Sequence, residues 1–291
     1  MTVHVFGSIN IDHVYRLPRF PGRGETLADT GYASGLGGKG ANQALAARAA
    51  GAEVRMIGAV GTDGAWAEAH LAEAGIETSA ILRPDAATGH AVIYVTPEAE
   101  NQIVIHGGAN LALTEAQIGA ALEAARPGDW WLCQNETNLV AKAAARARAA
   151  GLKIAYAAAP FEAETAARMM PLVDLLAVNA AEATQLAVAT GQSEGDLDVP
   201  ALLVTRGAEG AVLYQDGTRL EAPAHRVEAV DTTGAGDTFL GTFVAGLDLG
   251  REDAEALTWA AAAAALQVTR PGAGNAIPSR AEVASFLEAQ P

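Results

Sequence analysis

Short runs of β-branched and aromatic residues alternate with alanine-rich helical patterns through most of this chain, and few architectures accommodate that rhythm. The β-like runs fall at residues 1–6, 54–58, 130–134, 153–157, 174–178 and 201–205, with helical patterns near 65–74, 139–150, 163–170 and 181–190. Strands joined through a helix run parallel, and parallel strands need cover on both faces. The pattern therefore predicts an α/β fold, a mainly parallel sheet with helices on both faces. Ligands in such folds gather at the carboxyl ends of the strands. Half of the 291 residues are apolar, ample for a core of this kind.

Residues 12–33 and 86–108 break the rhythm, carrying strand-like alternation such as Ala91-Val92-Ile93-Tyr94-Val95 and Gln102-Ile103-Val104-Ile105-His106 with no helix between. They predict a small β-sheet lid over a core made of residues 1–11, 34–85 and 109–291. The lid would exclude water from a site beneath it. An edge extension or a dimer contact would look the same in sequence, and the roles can coexist. A standing sheet with an apolar face needs cover, so a homodimer through the lid is expected, with Val92, Tyr94, Val104 or their neighbours against the partner. After Asp253 the pattern is helical to the end, with a break at Arg270-Pro271-Gly272-Ala273-Gly274.

Chemistry is concentrated in two glycine-rich elements. Asp231-Thr232-Thr233-Gly234-Ala235-Gly236-Asp237-Thr238-Phe239 follows the alternating run 226–230 and opens an apolar helical stretch, so it reads as a strand turning into a helix. Unpaired N–H groups at such a turn, with the helix dipole, suit an anion such as phosphate. Asp237 beside that cradle has the chemistry of a base that takes a proton from the group attacking phosphorus. A capped β–α turn without ligand would also account for the motif. The second element, Gly35-Leu36-Gly37-Gly38-Lys39-Gly40-Ala41-Asn42-Gln43, opens a helix over 41–50, and two cradles are what an enzyme joining two substrates requires.

Net charge is −15 with no Lys/Arg cluster, which argues against nucleic acid or an anionic membrane as partner. The lone Cys133 lies in an apolar run and reads as a core thiol. The apolar stretch at 259–266 is far too short to span a membrane, and the N-terminus reads as a strand, so a cytoplasmic protein is expected. The histidines lack metal-ligand spacing. Gly35 to Gly40 satisfies G-x-G-x-x-G but does not follow the first strand, and Lys39 is followed by Gly40 rather than Ser or Thr, so neither a dinucleotide fingerprint nor a Walker A loop is present.

From Gly7 to about Pro278 the chain resembles the ribokinase-like (phosphofructokinase-B type) family of carbohydrate kinases. The resemblance rests on Gly7-Ser8-Ile9-Asn10-Ile11-Asp12, the 37–43 run, Thr88-Gly89, Glu100-Asn101, Gly108-Ala109-Asn110, Gln134 to Thr137, Asn179-Ala180-Ala181-Glu182, Thr205 to Gly210 and the 231–239 run, in family order. It implies ATP-dependent phosphorylation of the primary hydroxyl of a small sugar, D-ribose to ribose 5-phosphate above others. Deoxyribose, fructose or a nucleoside are rivals within the class, and a sugar or nucleotide sensor without turnover is a rival outside it.

The same resemblance assigns roles. Asn10, Asp12, Gly38, Lys39, Gly40, Asn42 and Glu136 would hold the sugar. Asp237 would be the base, its pKa lowered at a helix N-terminus, with the N–H groups of Gly234, Ala235 and Gly236 as the anion hole. Asn179 and Glu182 would organise Mg²⁺ through water, and Thr205, Arg206, Gly207, Gly210 and Gly236 would border the nucleotide. A K⁺ activator would sit among Asp231, the carbonyl of Thr233 and carbonyls around Gln267, Arg270 and Gly272. Ala276 stands where relatives commonly carry Ser, removing one ligand. Ala157 and Ala158 replace Asn and Pro of an Asn-Pro-Ala-Pro segment, and a helix is missing between Thr190 and Pro200.

Overall fold

A computed structural model describes residues 1–98 and 100–290. The strands are β1 (Thr2–Phe6), β2 (Asn10–Arg16), β3 (Gly31–Gly37), β4 (Glu53–Ala59), β5 (Glu77–Leu82), β6 (Gly89–Val95), β7 (Asn101–His106), β8 (Trp130–Cys133), β9 (Lys153–Ala157), β10 (Leu175–Asn179), β11 (Ala201–Thr205), β12 (Ala211–Gln215) and β13 (Thr218–Ala222). The helices are α1 (Lys39–Ala49), α2 (Ala65–Glu73), α3 (Glu115–Glu123), α4 (Val140–Ala149), α5 (Ala163–Met169), α6 (Ala180–Thr190), α7 (Ala235–Asp248), α8 (Asp253–Gln267) and α9 (Arg280–Glu288).

Nine strands form one sheet in the order β13-β12-β11-β10-β9-β8-β1-β4-β5, parallel from β11 to β5. Side chains alternate faces along each strand, and both faces of the central strands are buried. On one face Val3, Val5, Leu132, Ala155 and Leu203 pack with Phe239, Phe243 and Leu257 of α7 and α8. On the other, Phe6, Trp131, Ile154, Tyr156 and Leu202 pack with Ile118, Ala143 and Leu186 of α3, α4 and α6. Cys133 is wholly buried in this second layer. The expected parallel sheet with helices on both faces is thus present.

The antiparallel edge was not anticipated. β12 and β13 form a hairpin against β11, turning at Asp216 and Gly217, both with positive φ. The run 226–230, read as a strand, pairs with nothing of the sheet; it lies extended, with Val230 and Asp231 donating their N–H groups to the Val268 carbonyl. Arg226, Val227 and Ala229 line a cavity. Between α6 and β11 there is a single 3₁₀ turn, Glu194–Asp196. Among the described residues no helix is long and apolar enough to cross a membrane.

A second sheet has the order β3-β2-β6-β7. It takes in Gly35-Leu36-Gly37, which continue β3 up to the start of α1. The register places Asn10, Asp12 and Val14 on one face with Ala91, Ile93, Ile103 and Ile105. The opposite face carries His13, Tyr15, Val92, Tyr94 and Val104. β7 is exposed along its whole length, with Ile103, Val104 and Ile105 each more than half accessible.

Candidate active site

The turn after β1 and the start of α1 meet at a contact only glycine permits. A Cβ on Gly40 would lie 2.6 Å from both the Gly7 carbonyl carbon and the Ser8 nitrogen, so the helix begins directly against the β1–β2 turn. The Ala41 N–H donates to the Ser8 carbonyl at 2.9 Å and locks that approach. Asp12, on β2, lays its carboxylate over Gly37, where a Cβ would fall 2.1 Å from Oδ2. Glu136, just past β8, accepts from the Lys39 N–H at 3.0 Å and from the Ser8 hydroxyl. The buried Asn10 accepts from Asn110 Nδ2 at 2.7 Å, leaving its own amino group without a partner among the described residues.

These side chains form a buried charge cluster. Burial, then the nearby Glu136 carboxylate, pushes Asp12 up to about 6. Burial alone would lower the Lys39 ammonium, but Asp237, Glu136, Glu182 and Asp12 outweigh it and raise its pKa. One half-buried cation thus faces four carboxylates, and the cluster as a whole favours an uncharged, hydroxyl-rich ligand over a further anion.

Asp237 sits in the first turn of α7, behind the left-handed Gly234. Its Oδ1 accepts from Gln43 Nε2 at 2.8 Å and its Oδ2 from Asn42 Nδ2 at 3.2 Å. Gln43 in turn accepts from Gln134 Nε2 at 2.7 Å, so a chain of buried amides runs from the end of β8 through α1 to the carboxylate. The expectation of a lowered pKa fails: desolvation raises Asp237, outweighing the Lys39 charge and the two amide donors. Of the three N–H groups read as an anion hole, that of Ala235 is turned to the Thr232 carbonyl at 3.3 Å, whereas Gly234 and Gly236 have no backbone partner among the described residues. A Cβ on Gly236 would meet only open space.

That open space is continuous with two cavities. One, about 220 Å³, is lined by Lys39, Gln43, Asn179, Glu182, Thr205, Gly236 and Asp237 among others. The other, about 470 Å³, shares Thr205, Thr232, Ala235 and Gly236 and extends over Gly207, Gly210, His225 and Phe239, with a largely apolar lining. Arg206 does not join Thr205, Gly207 and Gly210 there, because its guanidinium is paired with Glu194, which also accepts from Tyr214. The cavity pair has the size and mixed polarity of a nucleotide site.

The residues read as metal ligands divide. Asn179 and Glu182 form a capping box at the start of α6, Glu182 Oε2 accepting the Asn179 N–H at 2.8 Å. Glu182 also lines the smaller cavity, which fits Mg²⁺ held through water. The monovalent-cation residues do not fit a cation in the same way. Asp231 accepts from the Thr233 and Gly272 N–H groups, both at 2.9 Å, the Gln267 carbonyl accepts from Arg270, and the Thr233 carbonyl accepts from the Gln267 side chain at 2.8 Å. Ala276 is buried and brings no oxygen.

Reading the sequence missed Gln43 and Gln134 as partners of Asp237, Asn110 as the partner of Asn10, and Ser8 as the partner of Glu136. All lie inside or beside the motifs, but their contacts join residues far apart in sequence, which motif order alone does not reveal.

The model of the pfkB family of carbohydrate kinases matches residues 2–280. A ribokinase of Haemophilus influenzae is 37% identical over 302 residues, covering 99% of this chain and 98% of its own. Among solved structures, ribokinase from Cryptococcus neoformans in complex with ADP superposes with a TM-score of 0.84 at 31% identity, covering 98% of each chain. Ribokinase from Arabidopsis thaliana complexed with ribose and ATP has a TM-score of 0.82 at 27% identity, covering 99% of this chain and 98% of that one.

Proposed function

The chain belongs to the pfkB family of carbohydrate kinases, and on that premise we propose that it transfers the γ-phosphoryl group of ATP to the primary hydroxyl of D-ribose, giving ribose 5-phosphate and ADP. The observation that carries this reading is the place of Asp237, between the polar cluster of Asn10, Asp12 and Glu136 and the cavity that runs past Gly236 to Gly207.

In this reading the sugar lies between β2 and the start of α1. Asp12 accepts from vicinal hydroxyls, the free amino group of Asn10 donates to one, and Gly38, Gly40 and Asn42 bring the backbone and a polar side chain close. Glu136 and Lys39 close the other side. The sugar's primary hydroxyl then meets Asp237, which takes its proton as the oxygen attacks phosphorus; the bond from the γ-phosphorus to the bridging oxygen breaks and ADP leaves. A carboxylate raised by burial is a stronger base than an ordinary one, and the Gln43 and Asn42 donors keep it ionised and aimed. N–H groups at the head of α7, with Gly236 foremost, stabilise charge on the moving phosphoryl group.

Thr205, Gly207 and Gly210 border the nucleotide, and Asn179 with Glu182 would hold Mg²⁺ and its waters beside the phosphates. When bound, that ion neutralises charge on the phosphate oxygens. The strands at 12–33 and 86–108 act as a lid on the core formed by 1–11, 34–85 and 109–291, and exclude water from the reaction. Exposed Ile103, Val104 and Ile105 support a homodimer through this sheet. ATP use and a single buried thiol support a cytoplasmic setting. A coupled ADP-release assay with Mg²⁺-ATP against ribose, deoxyribose, fructose, ribitol and nucleosides tests the reading. Preference for ribose is expected; ADP release on none of them would overturn it.

A further inference from the structure

The loop to which the resemblance assigns K⁺ is held together here by a side chain. Gln267, the last residue of α8, is completely buried, and its Nε2 donates to the Thr233 carbonyl at 2.8 Å and reaches the Ala273 carbonyl at 3.5 Å. These carbonyls belong to the two segments a cation would have to join: the 231–235 turn that leads into the proposed anion hole, and the 267–276 loop that follows α8. The amide also lies against that turn, since a Cβ on Gly234 would come within 3.0 Å of Nε2. Both Asp231 oxygens also receive backbone N–H groups, one of them from Gly272 across the same gap, so the two segments are tied a second time without an ion.

We infer that the Gln267 amide stands in for the monovalent cation, so that this enzyme works without K⁺. An amide NH₂ presents two N–H groups with partial positive charge, and directed at two carbonyls it attracts them as a cation would, without a net charge. It fills the position beside the Thr233 oxygen that an ion would take. The absence of a hydroxyl at Ala276 removes a cation ligand at no cost once the ion is dispensed with. Gln267 is thereby a positioning residue: it sets the turn that carries Gly234 to Gly236 and touches no substrate. Its Oε1, buried and without a partner, is the one group that argues the other way, because an ion could recruit it. The two arrangements make opposite predictions.

The turnover arm rests on the kinase reading, whereas the thermal arm does not. Unfolding midpoints of the ligand-free wild-type protein are compared in KCl, NaCl and choline chloride at equal ionic strength, alongside ADP release on ribose in the same salts. The expected result is no K⁺-specific change in either. In Gln267→Ala, where the amide is gone and space opens beside Thr233, K⁺ should raise the midpoint by about 2–4 °C over choline and restore turnover that choline does not. Gln267→Met, which keeps the length and removes the donors, serves if the alanine variant does not fold: it should turn over more slowly than wild type in every salt. A K⁺-specific midpoint rise in the wild-type protein, abolished by Gln267→Ala, would overturn the inference and make Oε1 a cation ligand. Absence of turnover in every salt would count against the kinase reading and leave the thermal result to decide this one.

Discussion

Gln43→Met removes one donor from Asp237 while nearly preserving side-chain length, and its consequences can be worked from the geometry. Gln43 Nε2 donates to Asp237 Oδ1 at 2.8 Å in a part-buried setting. A hydrogen bond to a charged group contributes about 1.5–3 kcal/mol. It favours the ionised carboxylate, so its loss should raise Asp237 further beyond the elevation burial already imposes. The base is then protonated at a higher pH. The acid limb of the kcat profile should shift upward in pH, with turnover at neutral pH falling and recovering at alkaline pH. Gln134 Nε2 would also lose its acceptor at Gln43 Oε1, costing about 1–3 kcal/mol of stability. The assay is ADP release on ribose from about pH 5 to 9.5, with an unfolding curve to register the stability change. A pH profile superimposable on that of the wild type, with unchanged kcat, would refute the claim that the amide chain holds the base.

Other expectations are more direct. Asp12 titrates at about 6 and must be ionised to accept two hydroxyls, so ribose affinity should weaken about tenfold per pH unit below that value; calorimetric affinities that stay flat from pH 7 to 5 would remove Asp12 from the sugar site. Because its folded pKa is raised, the same group favours folding below the unfolded carboxylate range, and that contribution disappears as pH rises through about 6. Burial pushes the Cys133 thiol up to about 12, so it should resist alkylation in the native protein and react on unfolding; rapid native labelling at neutral pH would show that the second core layer opens. Gly40→Ala places a methyl 2.6 Å from backbone atoms of Gly7 and Ser8, so a loss of about 1–3 kcal/mol in stability and weakened ribose binding are expected; denaturation midpoints equal to wild type would contradict that packing.

The parallel core was legible because strands buried on both faces read as unbroken apolar runs between alanine-rich helices, and 153–157 and 201–205 were placed to the residue. The hairpin of β12 and β13 was not read. Its outer strand is mostly exposed and polar, which weakens the apolar signal, although Asp216-Gly217 between two short runs is a hairpin turn signature. The run 226–230 alternates like a strand yet lies outside the sheet, with Arg226, Val227 and Ala229 lining a cavity, and periodicity alone cannot separate the two settings. At the site, the glycine motifs and carboxylates could be picked out by residue type and order. The direction of the Asp237 shift could not, since a helix N-terminus can be read from sequence but desolvation by residues far apart in the chain cannot. Arg206 likewise stood in the right motif, yet Glu194, supplied by the 3₁₀ turn between α6 and β11, pairs with it and keeps it out of the cavity lining.

The account turns on Asp237 as the group that takes the sugar's proton, and Asp237→Asn tests it most directly when turnover and ribose affinity are measured on the same preparation. ADP release should fall by about 10²- to 10⁴-fold, the usual contribution of a positioned base, while the ribose dissociation constant measured by calorimetry stays within a few-fold of wild type. An asparagine variant that turns over ribose at the wild-type rate would contradict the account.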